Sequence, residues 1–146
     1  MIALFILLGS LINPALSSDI VTVTVRRMKL EAGSSITVRI QLEVKEGYHI
    51  QAHNIADEYL IPTSLDIEAE GFVIEKSFPL GTKLRLEGSD DTLDVYDGTI
   101  EIDVTLRAPA IVRGKSKLRA KLHYQACDAK RCFPPRTLGF VIPIDP

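Results

Sequence analysis

This chain has no tryptophan, only two cysteines and three histidines among its 146 residues, and its formal net charge is only −2. A charge so close to neutral gives no global field that would attract nucleic acid. Two cysteines cannot build a disulfide framework, and at this length a core does not need one. Beyond the first residues no apolar run is long enough to cross a bilayer. Low-complexity tracts and internal repeats are lacking, and so is a good amphipathic helix; at most a short turn falls near "NIADEYL" (54–60). With 46% hydrophobic and 25% charged residues, the composition is that of an ordinary globular chain of one domain.

The first stretch, "MIALFILLGSLINPALSS", is apolar and uncharged from residue 2 to 8, and Pro14 interrupts it. Ala15 and Ser17 place small residues at −3 and −1 of a cut after Ser17, the pattern of a secretory leader over residues 1–17. No Lys or Arg precedes the apolar run, so only the α-amino group supplies positive charge there; an uncleaved anchor or a misplaced start is the other reading. A cleaved leader leaves residues 18–146 as the domain and puts it in an oxidising compartment.

What the sequence has in quantity is alternation. "DIVTVTVR" (19–26), "SITVRIQLEV" (35–44), "LDIEAEGFVIE" (65–75), "TIEIDVTLR" (99–107) and "SKLRAKLHYQA" (116–126) place apolar residues on one face with period two, and "TLGFVIPI" (137–144) is a last, mostly apolar strand. Period two with turn residues between, at Gly33, Gly47, Gly88, Gly98 and Gly114, predicts half-buried antiparallel strands. Seven or eight of them at this spacing predict an all-β, immunoglobulin-like antiparallel β-sandwich.

Charge is segregated along the chain. Residues 57–103 hold 13 acidic and 3 basic side chains, and residues 107–136 hold 9 basic and 1 acidic. Lys117, Arg119 and Lys121 alternate on one strand, and Glu101 and Asp103 on the strand before it. Cross-strand pairing in a hairpin is the simpler reading, and a docking surface for a charged partner is the other.

Both cysteines lie in "YQACDAKRCFPP" (124–135). A disulfide between Cys127 and Cys132 closes a loop of about six residues, worth only about 2 kcal/mol in the chain-entropy picture, so a staple is poorly placed here. Electron exchange needs two sulfurs within bonding reach and one that is exposed and partly ionised. Lys130 and Arg131 favour the thiolate if their charges point inward, Asp128 opposes it, and Pro134 and Pro135 stiffen the chain just after the pair. The spacing C-x4-C is not the C-x-x-C of thioredoxin. A metal cluster is the third option: His49 and His53 are four apart and His123 is four before Cys127, but no recognised ligand spacing results, and structural or surface roles are the simpler reading. From the residues alone, staple, exchange pair and metal ligand all stay open.

The stretches "GYHIQAH" (47–53), "YLIPTSLDIE" (59–68), "DVYDG" (94–98) and "YQACDAKRCFPP" (124–135), in this order, resemble the amino-terminal periplasmic domain of the thiol:disulfide interchange protein DsbD. The resemblance covers roughly residues 35 to 144; its specific part is the run Tyr124, Gln125, Ala126, Cys127 that closes on Cys132, Phe133, Pro134 and Pro135. It implies an immunoglobulin-like sandwich whose Cys127 and Cys132 act as a protein-disulfide reductase pair. Electrons would come from a membrane-embedded partner and pass to periplasmic thioredoxin-like proteins such as disulfide isomerases and cytochrome c maturation factors. By the same analogy Cys132 attacks the target and Cys127 resolves the mixed disulfide. The stretch around Tyr96 matches a loop that caps the cysteines, with Tyr96, and less well Val95, as the shielding side chain, and Asp94 beside acidic residues that tune proton transfer. No metal or organic cofactor is implied. The family protein continues into a membrane domain and a thioredoxin domain, so this chain is expected to be a free-standing module or one piece of a split system whose donor is another polypeptide. The competing expectation is a binding module of the same fold with an inert disulfide.

Overall fold

The computed structural model describes residues 16–17, 20–111 and 117–145, and every described element is a β-strand. In chain order these are β1 (Leu16–Ser17), β2 (Val21–Val25), β3 (Met28–Lys29), β4 (Ser35–Val44), β5 (His49–Gln51), β6 (Ser64–Glu68) and β7 (Val73–Ser77). The chain continues through β8 (Thr82–Arg85), β9 (Thr92–Tyr96), β10 (Thr99–Arg107), β11 (Lys117–Tyr124), β12 (Ala126–Cys127) and β13 (Arg136–Asp145).

Three sheets form. One has the order β1-β2-β4-β10-β7, a second β3-β13-β11-β6, and a third, smaller one β12-β5-β9-β8. Pairing is antiparallel throughout except between β13 and β3. The alternation in the sequence becomes burial: Val38, Ile40, Leu42 and Val44 of β4 face inward, as do Ile100, Ile102, Val104 and Leu106 of β10. Leu118, Ala120, Leu122 and Tyr124 of β11 and Phe140, Ile142 and Ile144 of β13 meet them in one core. The first two sheets therefore pack face to face, each giving its apolar rows to a shared interior.

Several expectations change in the fold. The stretch 65–75 is two strands, not one: β6 pairs with β11 and β7 with β10, in different sheets. Gly71, with φ of 80°, takes the corner between them in a region that L side chains avoid. The stretch 116–126 also divides, because Gln125 interrupts the ladder and β12 pairs with β5 instead. Strands β8 and β9 were not foreseen, since their sequence is too polar to alternate clearly. The short turn expected near residues 54–60 does form, at residues 58–59.

The expected β10–β11 hairpin does not exist, because β4 and β7 already occupy both edges of β10. Glu101 and Asp103 turn instead to Arg39 of β4, at 3.4 and 2.9 Å, while Arg119 and Lys121 stand opposite Glu68 and Asp66 of β6. The body of the expected leader and the turn at Gly114 lie outside the described residues; the last two leader residues, Leu16 and Ser17, run beside Val23 and Thr22.

Candidate functional site

Cys127 and Cys132 are disulfide-bonded across a tight hairpin. Its backbone is closed by Phe133 N–H donating to Ala126 O at 2.8 Å and by Asp128 N–H donating to Arg131 O at 2.9 Å. Within the loop one carboxylate oxygen of Asp128 accepts from the backbone N–H groups of Lys130 and Arg131, at 2.8 and 2.9 Å. Those two bonds hold the Asp128 carboxyl below its usual pKa, with smaller help from the charges of Arg131 and Lys130. An aspartate at this position of a turn satisfies backbone donors that would otherwise face water, so the local sequence sets the loop shape. Phe133, half-buried, packs beside the Tyr48 ring with the Arg131 guanidinium 5.1 Å from its centroid. Lys130 and Arg131 are exposed.

The two sulfurs are not equivalent. Cys127 is 1% exposed, whereas Cys132 is open to solvent. Cys127 is buried because β12 is an edge strand of the small sheet and lies against β5, with Cys127 directly opposite His49. On the other side of β5, Ile50 faces Tyr96 and Gln51 faces Val95. Side chains on one rung share a face, and faces alternate along each strand. Cys127, His49, Gln51 and Val95 therefore share one face, and Ala126, Ile50 and Tyr96 share the other, which joins the main core.

The cysteine face is polar. The side-chain amide of Gln51, fully buried, donates to the Cys127 sulfur at 3.3 Å. Gln51 Oε1 and His49 Nε2 are buried without a hydrogen-bond partner. Burial holds His49 below the ordinary imidazole pKa, against the pull of Asp97 and Asp128, whose charges favour the protonated ring.

Gln125 ties the hairpin to the sandwich. Its carbonyl accepts from Gln51 N–H at 3.1 Å, its Oε1 from Ile61 N–H at 2.9 Å, and its Nε2 donates to Phe133 O at 3.3 Å. Tyr124 is fully buried at the end of β11, and Pro134 is exposed beyond the hairpin. Gln125 and Phe133 thus tie the two ends of the hairpin together and to the sandwich.

Asp94, Val95 and Tyr96 do not lie on a loop; they are consecutive residues of β9. Tyr96, 3% exposed, sits on the core face, opposite to the face that carries Cys127. Its hydroxyl donates to Pro79 O at 2.7 Å and accepts from His53 N–H at 3.2 Å, so it anchors neighbouring chain segments rather than covering sulfur. Burial raises its pKa above the ordinary phenol value. Val95 shares the cysteine face but is separated from Cys127 by β5. Asp94 is committed to Lys83, at 2.8 Å. The acidic residues whose charges reach the site are Asp97 and Asp128 instead.

The histidines do not converge. The His53 ring stacks on Phe78 at 3.8 Å and its Nδ1 bonds Thr63 O, while His123 lies between Asp66 and Thr137. Among the described residues no group of three or more His, Cys, Asp or Glu is arranged to hold a metal ion. The sequence offers His49 as a metal ligand or, more simply, a structural or surface residue, and does not single out Gln51 or Asp97. The signal was there in part: residues 49 and 51 alternate onto one face of a strand inside the motif "GYHIQAH".

Comparison with known proteins follows this geometry. Residues 18–142 match the family described as "Thiol:disulfide interchange protein DsbD, N-terminal". No curated protein sequence matches the chain. Among solved structures, the N-terminal periplasmic domain of ScsB from Proteus mirabilis is 12% identical, with a TM-score of 0.59 over 86% of this chain and 47% of that one. This chain thus spans about half the length of that domain. The N-terminal domain of DsbD from Neisseria meningitidis in its reduced form is 18% identical, with a TM-score of 0.49, covering 77% of this chain and 80% of that one. A complex of the DsbD and PilB N-terminal domains from the same organism contains a chain 20% identical, with a TM-score of 0.47, covering 73% of each.

Proposed function

This chain belongs to the family of the N-terminal domain of the thiol:disulfide interchange protein DsbD, and from that premise we propose that it is a thiol–disulfide exchange domain working through Cys127 and Cys132. The observation that carries the reading is the asymmetry of the pair: one sulfur is open to a partner and the other is buried behind it. A partner thiolate can reach Cys132 Sγ only. Attack there breaks the Cys127–Cys132 bond, forms a mixed disulfide on Cys132, and leaves Cys127 as the thiolate, which takes up a proton. A second partner thiolate then attacks the mixed disulfide and releases Cys132. Two electrons and two protons have entered the domain. In the other direction Cys132 attacks a target disulfide and Cys127 resolves it, returning the pair to its oxidised state.

The donor is proposed to be a membrane-embedded thiol–disulfide carrier, and the acceptors periplasmic thioredoxin-like proteins. A periplasmic location accords with the family and with the leader pattern of residues 1–17. Docking is supported by the exposed apolar residues Tyr59 and Ile61, the second tied by its backbone to Gln125 beside the hairpin.

The test is the reduction potential of Cys127–Cys132, measured in glutathione or dithiothreitol buffers by counting free thiols. A value among thioredoxin-like carriers, above about −300 mV, is expected. A value well below it would mean a structural staple, and a binding module of the same fold would then be the better description.

A further inference from the structure

The oxidised hairpin contains no S–H group, yet the buried face around Cys127 holds two polar atoms without a partner. They are His49 Nε2, on the residue directly opposite Cys127 across the β5–β12 ladder, and Oε1 of Gln51, whose amide already touches the Cys127 sulfur. Buried polar groups are normally paired, and an orphan at a redox centre points to a second state in which it is paired. Reduction adds a donor there: freed from Cys132, the Cys127 thiol stands on the face that carries both atoms.

We propose that His49 takes up and returns the proton of Cys127, with Gln51 holding that sulfur in register. This rests on the exchange reading above and adds to it the path of one proton. When a target sulfur is bound to Cys132, the imidazole accepts the Cys127 proton as that sulfur attacks Cys132 Sγ. The bond between Cys132 and the target breaks, and the target sulfur leaves with the electron pair. In the reverse half, the imidazolium gives its proton back to Cys127 as it departs from the disulfide. A base for this step must be neutral before it acts, and the burial that holds His49 below the usual imidazole range keeps it so. The charges acting on it are those of Asp97, in the turn after β9, and Asp128, in the loop after β12. Both stabilise the imidazolium once it forms.

The experiment mixes fully reduced protein with dithiobis-nitrobenzoate, an aromatic disulfide, and follows the coloured thiolate in a stopped-flow instrument. The first release reports attack by Cys132, and the second reports resolution by Cys127. The second release should accelerate as pH rises toward the ordinary imidazole value of about 6.5, below which the depressed His49 imidazole loses its proton. His49→Gln should slow it by about tenfold or more near neutral pH and abolish that limb, with the first release unchanged. Gln51→Leu should slow the second release and keep the limb. Equal slowing of both releases by His49→Gln, or an unaltered pH profile, would overturn the proposal. If the variants do not fold, the wild-type imidazole decides: its titration, followed by NMR, should differ between oxidised and reduced protein, and identical titrations overturn the idea. A wild-type protein that gives no second release fails the exchange reading itself.

Discussion

At the scale of single residues, the difference between the two sulfurs makes the sharpest prediction. Cys127→Ala leaves an exposed thiol with no resolving partner, so it should accumulate a stable mixed disulfide with a thioredoxin-like protein. Cys132→Ala leaves only the buried thiol and should trap little. Equal trapping by both, read on a non-reducing gel, would mean that exposure does not choose the attacking sulfur. His49 also couples stability to pH. Its pKa is depressed in the folded state, so below the ordinary imidazole value of about 6.5 the unfolded chain binds more protons. Its contribution is present above that value and is lost as pH falls toward the folded one. Denaturation midpoints should therefore fall as pH drops below that ordinary value, and less so in His49→Gln. Tyr96→Phe removes the bond to Pro79 O and should cost about 1 kcal/mol in urea unfolding. With its ring on the core face, it should not speed oxidation of the dithiol by peroxide beyond what that loss of stability explains. A tenfold acceleration would restore a shielding role.

At the scale of elements, the small sheet β12-β5-β9-β8 is the platform of the site. The approach to β8 passes close over it at Gly81, where a Cβ would stand 2.7 Å from the Ala52 side chain and 3.2 Å from that of Asp94. Gly81→Ala must push these apart and should destabilise by about 1–3 kcal/mol; an unchanged urea midpoint would show that the segment simply moves. The hairpin loop depends on Asp128, whose lowered pKa means that its bonds persist above the normal carboxyl range and fail as pH falls through the folded value. Asp128→Ala should leave the sandwich intact while hydrogen exchange at Lys130 and Arg131 becomes faster. Exchange as slow as in the wild type would mean that the disulfide alone shapes the loop.

For the whole molecule, the main core cluster includes neither cysteine. The two main sheets share an interior of inward rows from β2, β4, β10, β11 and β13. The disulfide closes a loop of about six residues, worth about 2 kcal/mol. The double substitution Cys127→Ala with Cys132→Ala should therefore stay folded and lose about that much in urea unfolding. Complete unfolding of the double variant would make the disulfide structural and count against exchange. Such independence is what a carrier requires, since the same scaffold must survive both states.

Strands β2, β4, β10, β11 and β13 were legible in the sequence because each has a dry face that alternates with a wetter one, and period two is the direct record of that. The cysteine hairpin was legible because its residues are contiguous: Asp128 turns the loop and Gln125 and Phe133 bracket it within ten positions. What the tertiary structure alone decided is which strands meet. The alternation of β10 and β11 says nothing of their neighbours, and the acidic and basic strands that seemed made for one another lie in different sheets. The polar floor of the site was hidden for the same reason. Cys127 lies 76 or more residues along the chain from both His49 and Gln51, and Tyr96 and Val95 differ only in which face of β9 they take. A strand's own sequence fixes the alternation of its faces, but only its pairing register says which residue stands opposite and which face meets the core.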